Sequence, residues 1–236
     1  MKNPKPRLAI IGFGAFGQLA ARHLRDHARI CVCDPLTRSN DLPQVDLAES
    51  ARADLVLLAV PLSRLEPVLR EIAPHLRPGA VVIDVTSLKL RPAELMQALL
   101  PDHVGIIATH PLFGPESARN GIAGHRLAWC PLRGGDHRRL AAFLRWLGLK
   151  VLTTTPDQHD AEMAMVQGLT HLIARSLGAL GPMPTRLATA SFQHLIEAAR
   201  MVEADSPQLL RTILYDNPHA EPVRRRFLDA AAAVTG

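Results

Sequence analysis

Apolar runs of strand length and amphipathic stretches of helix length alternate along the first 150 residues. Leu8-Ala9-Ile10-Ile11 leads into Gly12-Phe13-Gly14-Ala15-Phe16-Gly17 and then a helical stretch, Gln18 to His27. Arg29 to Cys33 predicts a second strand ending at Asp34. Asp54 to Val60 (DLVLLAV) is continuously apolar, as a parallel strand buried on both faces requires, and Pro61 ends it. Ser63 to Ala73 predicts a helix, with Ser63-x-x-Glu66 as a capping box and Pro67 weakening its first turn. Gly79 then breaks the chain before a buried strand, Ala80 to Val85. A helix (91–100), a strand (104–109) and a short strand (126–130) follow. Asp136 is expected to cap a helix carrying Leu140, Phe143, Leu144 and Leu147, which Gly148 stops before a last strand at 150–152. The alternation predicts an α/β fold, with a doubly wound (Rossmann) parallel sheet over residues 1–152.

From Thr153 the period becomes purely helical. Thr155-Pro156-Asp157-Gln158 combines a capping box with Pro at the first helical position. The stretch from there to Leu180 is apolar on nearly every side, predicting a buried helix. Gly181-Pro182-Met183-Pro184 is a break, and helices are expected over 185–204, 207–214 and 221–234. Residues 153–236 are thus expected to form a smaller, all-helical domain. Its first helix has more apolar surface than one protomer can cover, so a homodimer through these C-terminal helices is expected.

The glycines at 12, 14 and 17 each have a task. Gly12 permits a tight turn, Gly14 leaves room for a pyrophosphate against the backbone, and Gly17 lets the helix approach the strand. The helix N-terminus then offers unpaired N–H groups to phosphate. Asp34 lies 22 residues beyond Gly12, near the spacing of a ribose-binding acid. Its charge favours NAD, while Arg38, flanked by Thr37 and Ser39, leaves NADP open. Candidate dinucleotide contacts are Gly12, Phe13, Gly14, Ala15, Phe16, Gly17, Asp34, Val60 and Pro61.

Charge narrows the partner. The formal net charge is +5 with basic residues spread along the chain, and aromatic residues are only 4%, too few for a nucleic-acid stacking platform. An anionic small molecule is the expected ligand, not nucleic acid. Cys31 and Cys33 share one face of a strand without His or Cys partners nearby, which suits core packing rather than zinc, so no metal is expected. Three cysteines suggest a reducing, cytoplasmic setting. The longest apolar run, 53–62, is about half a membrane span, and the basic N-terminus runs straight into the glycine loop, unlike a signal peptide. No membrane association is expected.

Reactive polar groups fall where such a sheet opens its ligand crevice, beyond the carboxyl ends of the strands. Asp84-Val85-Thr86-Ser87-Leu88-Lys89 ends one strand, and Thr109-His110-Pro111-Leu112-Phe113-Gly114-Pro115-Glu116-Ser117 ends another. In the helical part, Gln167, His171 and Arg175 recur at i, i+4 and i+8, so they share one face. Such a stripe needs partners, either protein groups or a ligand.

These motifs carry a family resemblance. GFGAFGQ, LLAVPL, DVTSLK, THPLFGPES and QHDAEMAMVQGLTH occur in the order found in prephenate and arogenate dehydrogenases, and HPLFGPES followed by Asn120-Gly121 is similar to plant-type arogenate enzymes. The resemblance implies NAD(P)-dependent oxidative decarboxylation of a cyclohexadienol in tyrosine biosynthesis. It implies His110 as the catalytic histidine, Ser87 as the serine that orients it, and His171 as a second-domain histidine of the substrate pocket. The candidate substrate contacts are Ser87, His110, Gly114, Ser117, Gln167, His171 and Arg175. Only a neutral imidazole accepts a proton, so activity is expected to fall below the ordinary histidine value, about 6.5.

One position departs from the family pattern. Where many members carry an Arg six residues before a Pro, this chain has Met201, leaving Arg175, Arg186 or Arg211 to bind the side-chain carboxylate. Arogenate's ammonium would favour a carboxylate such as Glu116. Rival readings are a 4-amino-4-deoxyprephenate dehydrogenase, an imine or hydroxy-acid reductase using Lys89, and a non-catalytic NAD(H) sensor.

Overall fold

The computed structural model describes residues 5–134, 137–184, 186–203 and 205–235. The chain divides into two compact units, Met1–Pro156 and Asp157–Gly236.

The first unit is built on seven strands: β1 (Arg7–Ile11), β2 (Arg29–Cys33), β3 (Leu55–Leu58), β4 (Val81–Asp84), β5 (Gly105–Pro111), β6 (Arg126–Arg133) and β7 (Lys150–Thr153), ordered β2-β1-β3-β4-β5-β6-β7. Strands β1 to β5 are parallel. The expected doubly wound sheet is present, and its parallel order changes only at the far edge, where β6 runs antiparallel to β5 and β7 runs parallel to β6. The link between β5 and β6 contains only turns and bends, with no helix to carry a parallel crossover, so the chain returns as a long hairpin.

Crossover direction decides which face each helix covers. The step from β1 to β2 goes one way along the sheet, and the steps through β3, β4 and β5 go the other. Right-handed connections therefore put α1 (Ala15–Leu24) on one face and α2 (Leu47–Ala51), α3 (Leu62–Ile72) and α4 (Leu90–Leu99) on the opposite one. On the second face Leu65, Leu69 and Met96 pack against Val56, Val82 and Ile106. On the first, α1 covers Leu8 and Ile10, and α5 (His137–Trp146) covers Leu127 and Trp129. Between α1 and α5 lies a cavity of about 740 Å³ over Leu55, Leu57, Val81 and Ile83. The expectation that these strands are sealed on both faces is thus corrected: Leu55, Ile83 and Val85 are only half-buried.

Several local expectations shift. The helix after the glycine loop starts at Ala15, three residues early, because Gly14 itself is extended and serves as its N-cap. The Ser63 capping box does not form: Pro61 is the N-cap of α3, so Ser63 already lies inside the first turn. Helix α2 escaped the periodicity because it is five residues long, although Asp46 capping Glu49 N–H was its available signal. Strand β5 runs on to Pro111, which puts His110 inside it. The expected Asp136 cap lies outside the described residues. Cys31 and Cys130 are buried thiols and Cys33 is half-buried; burial pushes the Cys31 and Cys33 thiols above their usual range.

The second unit holds α6 (Pro156–Ala179), α7 (Ala190–Arg200), α8 (Pro207–Arg211) and α9 (Ala220–Thr235), with a π-helical turn, Thr212–Asp216, before α9. The helix expected over 185–204 is shortened to α7, because Thr189 caps its start and residues 186–187 and 201–203 are turns; Thr185 and Ala204 fall outside the described residues. The unit's buried apolar side chains are Met163, Ala164, Ile213, Leu214 and Ala220. Within the single chain α6 is not covered all round, with Val166 61% and Met165 39% exposed, as expected of a helix with more apolar surface than one protomer covers. Helix α7 buries no residue at all. Among the described residues, no helix is long and apolar enough to cross a membrane.

Candidate active site

The strand order reverses direction between β1 and β3, so their carboxyl ends frame the crevice where doubly wound sheets bind ligands. Gly12 sits there at φ +95°, and a Cβ on it would meet the Ala59 carbonyl oxygen at 2.3 Å. Val60 is half-buried and Pro61 exposed beside it. Gly17 is pressed equally hard, its ideal Cβ falling 2.1 Å from the Gly12 carbonyl oxygen. Gly14 differs: its backbone is ordinary and nothing lies within 4 Å of an added Cβ. Gly14 and Ala15 are exposed, Phe16 is half-buried, and Phe13 turns into the core. The first turn of α1 has no side-chain cap and no acidic residue. Its N–H groups are thus left for an anion, and the loop fits a dinucleotide pyrophosphate.

Asp34 is engaged more fully than its spacing suggests. One carboxylate oxygen accepts from Phe13 N–H at 2.6 Å, and the other from Leu36 and Thr37 N–H at 2.8 Å each. Burial pushes its carboxyl up, and these three bonds overcome that and hold it below the usual carboxylate range. The group thus stabilises the fold above the unfolded carboxylate range, and that contribution is lost as pH falls through the lower folded value. Its position couples the glycine loop to the end of β2.

Farther along the same edge stand Ser87, half-buried in the turn between β4 and α4, and His110, 5% exposed in β5. Asp84 pairs with Ala108 across the sheet, so alternation puts Asp84, Ala108 and His110 on one face. Lys89 is fully buried, and its ammonium bonds Asp84 and the Thr109 carbonyl. A reductase using Lys89 at an open nicotinamide pocket is therefore not what the structure presents. Gly114 and Ser117 are brought together in the turn after β5, where the Ser117 hydroxyl accepts from Gly114 N–H at 2.9 Å. Glu116 pairs with Arg119 at 2.9 Å on the surface.

In the helical unit, the polar stripe converges on the segment before α8. His171 is buried, with Nδ1 2.8 Å from the Gln167 carbonyl and Nε2 2.9 Å from an Asp205 carboxylate oxygen. Arg175 reaches the Asp205 carbonyl at 3.4 Å. The Gln167 Oε1 is buried without a hydrogen-bond partner among the described residues. The stripe thus has a protein partner that sequence reasoning missed, Asp205, whose acidic side chain before Ser206-Pro207 was its only signal.

Residues 36–152 match the model of the prephenate dehydrogenase nucleotide-binding domain, and residues 155–235 match the prephenate dehydrogenase dimerization domain. The chain belongs to the prephenate dehydrogenase family. This family member is 28% identical to a probable arogenate/prephenate dehydrogenase of Methanocaldococcus jannaschii, over 80% of this chain and 45% of that protein. It is 31% identical to chloroplastic arogenate dehydrogenase 2 of Arabidopsis thaliana, over 93% of this chain and 66% of that protein. The chain therefore spans about half to two thirds of the length of these curated relatives. Its fold matches prephenate dehydrogenase from A. aeolicus, solved in complex with hydroxyphenyl propionate and NAD+, with a TM-score of 0.79 and 19% identity, covering 100% of this chain and 91% of that one. The glycine loop precedes the stretch matched by the nucleotide-binding model, so its geometry is an independent sign of the same chemistry.

Proposed function

We propose that this chain is an NAD(P)-dependent dehydrogenase that oxidatively decarboxylates prephenate, arogenate or both, a step of tyrosine biosynthesis. The observation that carries the reading is a buried histidine, His110, on the same sheet edge as a helix N-terminus left open for a dinucleotide. Bound NAD(P)+ supplies the hydride acceptor. His110 takes the proton of the ring hydroxyl as hydride leaves C4, and Ser87 orients the imidazole. The bond to the ring carboxylate then breaks, its electron pair completes the aromatic ring as CO2 departs, and the C4 oxygen, left as a phenolate, takes the proton back from the His110 imidazolium. Aromatisation drives the reaction, so the protein has chiefly to position the ring and hold one proton. In the helical unit, His171, Arg175 and the Gln167 amide are the proposed substrate contacts. Gly114 and Ser117 shape the loop after β5 for the same ligand.

The test is to mix the protein with NAD+ or NADP+ and with prephenate or arogenate, following nicotinamide absorbance. Reduction in at least one combination is expected. Silence in all four contradicts the reading and favours a nucleotide sensor.

Asp34 favours NAD, since a ribose 2′-phosphate would meet its charge. Asp34→Asn is expected to raise KM for NAD more than for NADP and to lower Tm, because an amide cannot accept from Phe13 and from Leu36 and Thr37 together. An unchanged KM ratio for the two cofactors contradicts this role.

A homodimer through the helical unit is part of the same proposal. It is supported by the match to a dimerization domain and by exposed Val166, Leu187, Leu195 and Met201. Sedimentation at micromolar concentration should show a dimer, and a strictly monomeric species contradicts it. A reducing, cytoplasmic setting is part of the same proposal, in keeping with only three cysteines, at 31, 33 and 130.

A further inference from the structure

Lys89 and Asp84 are both fully buried, and neither takes part in the chemistry proposed above. A buried ion pair is a poor stabiliser, because desolvating two charges costs about as much as their attraction returns. What distinguishes this pair is where its hydrogen bonds go. One Asp84 oxygen bonds the Lys89 ammonium. The other accepts from Thr86 N–H at 2.7 Å and lies 2.6 Å from the Thr86 hydroxyl. Lys89 also donates to the Thr109 carbonyl at 2.6 Å, and the Thr109 hydroxyl donates to the Asp84 carbonyl at 2.6 Å. The result is a closed circuit, from the Asp84 carboxylate through the Lys89 ammonium to Thr109 and back to the Asp84 backbone. Thr86 immediately precedes Ser87, and Thr109 immediately precedes His110.

We infer that the Asp84–Lys89 pair is a positioning element of the reaction, fixing the Ser87 turn against the strand that carries His110. The inference rests on the catalytic reading of those two residues given above. The parallel ladder between β4 and β5 ends at Asp84 and Ala108. Beyond it, the bonds that tie the turn after β4 to β5 include those of Lys89 and Thr109. A buried ammonium suits the task, since it can satisfy a carboxylate and a carbonyl at once in a dry site. Displacing a catalytic group by about 1 Å can cost about 10²-fold in rate, so a link that fixes this spacing acts on turnover rather than affinity.

The decisive variant is Asp84→Asn with Lys89→Met. Asn keeps an oxygen for Thr86 and Met keeps the chain length, so the fold loses charge without leaving one ion unpaired. Expected are an unchanged Tm and an unchanged Kd for NADH by fluorescence, with kcat down about tenfold or more and KM for the ring substrate nearly constant. The loss should vanish when the pair is removed in a His110→Asn background, because a positioning element acts only through the group it positions. A purely structural pair would instead lower Tm and cofactor affinity together, and its effect would multiply through in that background. Thr109→Val is the second variant, cutting the circuit at an uncharged bond. It should lower kcat about threefold or more, again only while His110 is present. Full kcat in either folded variant of an active parent overturns the positioning role alone. A parent inactive with every cofactor and substrate pair overturns the functional reading and this inference together.

Discussion

Replacing His110 by Asn is expected to lower turnover by about 10²–10⁴-fold, the range for loss of a general base, while leaving cofactor affinity nearly intact. The separation follows from topology. His110 lies in β5, two strands from the β1–β3 crevice that receives the dinucleotide. Its burial at 5% exposure keeps bulk water from taking over as proton acceptor. The Asn variant retains a polar side chain of similar reach, so the fold should persist. Single-turnover kinetics and NADH titration check the two halves separately.

The glycine loop supplies the second large effect. Gly12→Ala and Gly17→Ala should each destabilise the first unit severely, because the new Cβ meets backbone oxygen, which cannot rotate away as a side chain can. At Gly12 the positive φ adds strain. Gly14→Ala should leave Tm unchanged, or raise it slightly through reduced chain entropy, since its φ of −68° suits alanine and the space is open. That open space is where a pyrophosphate would approach, so Gly14→Ala should weaken NAD binding strongly. Thermal melts beside NADH titrations decide the matter. If Gly14→Ala bound NAD normally, the loop would not be the phosphate site.

These contrasts show how much of the molecule its residue pattern conveys. Strand β2 lies where the pattern set it, Arg29–Cys33, because a four-residue apolar run is bounded by Arg29 and Asp34. The glycine loop and its helix were equally plain, since glycine spacing is a direct record of close backbone approach. The reversal of β6 was not legible: direction depends on the length of the connection, and the strand itself is apolar either way. The exposed side of α6 was legible by contrast, since a helix apolar all round carries more such surface than one protomer covers. His110 could be named from its motif, but the ion pair beside it could not. That pair depends on Lys89, at the N-cap of α4, folding back onto a strand carbonyl 20 residues later, a contact with no local pattern. Asp205 is hidden in the same way, reaching His171 across 34 residues.

The account stands or falls on coupled chemistry at His110. The direct measurement follows CO2 release and nicotinamide reduction together, with prephenate and with arogenate, in the parent and the His110→Asn enzyme. The account predicts one CO2 for each reduced nicotinamide in the parent and a parallel collapse of both in the variant. Nicotinamide reduction without CO2, or equal turnover by the variant, would contradict it.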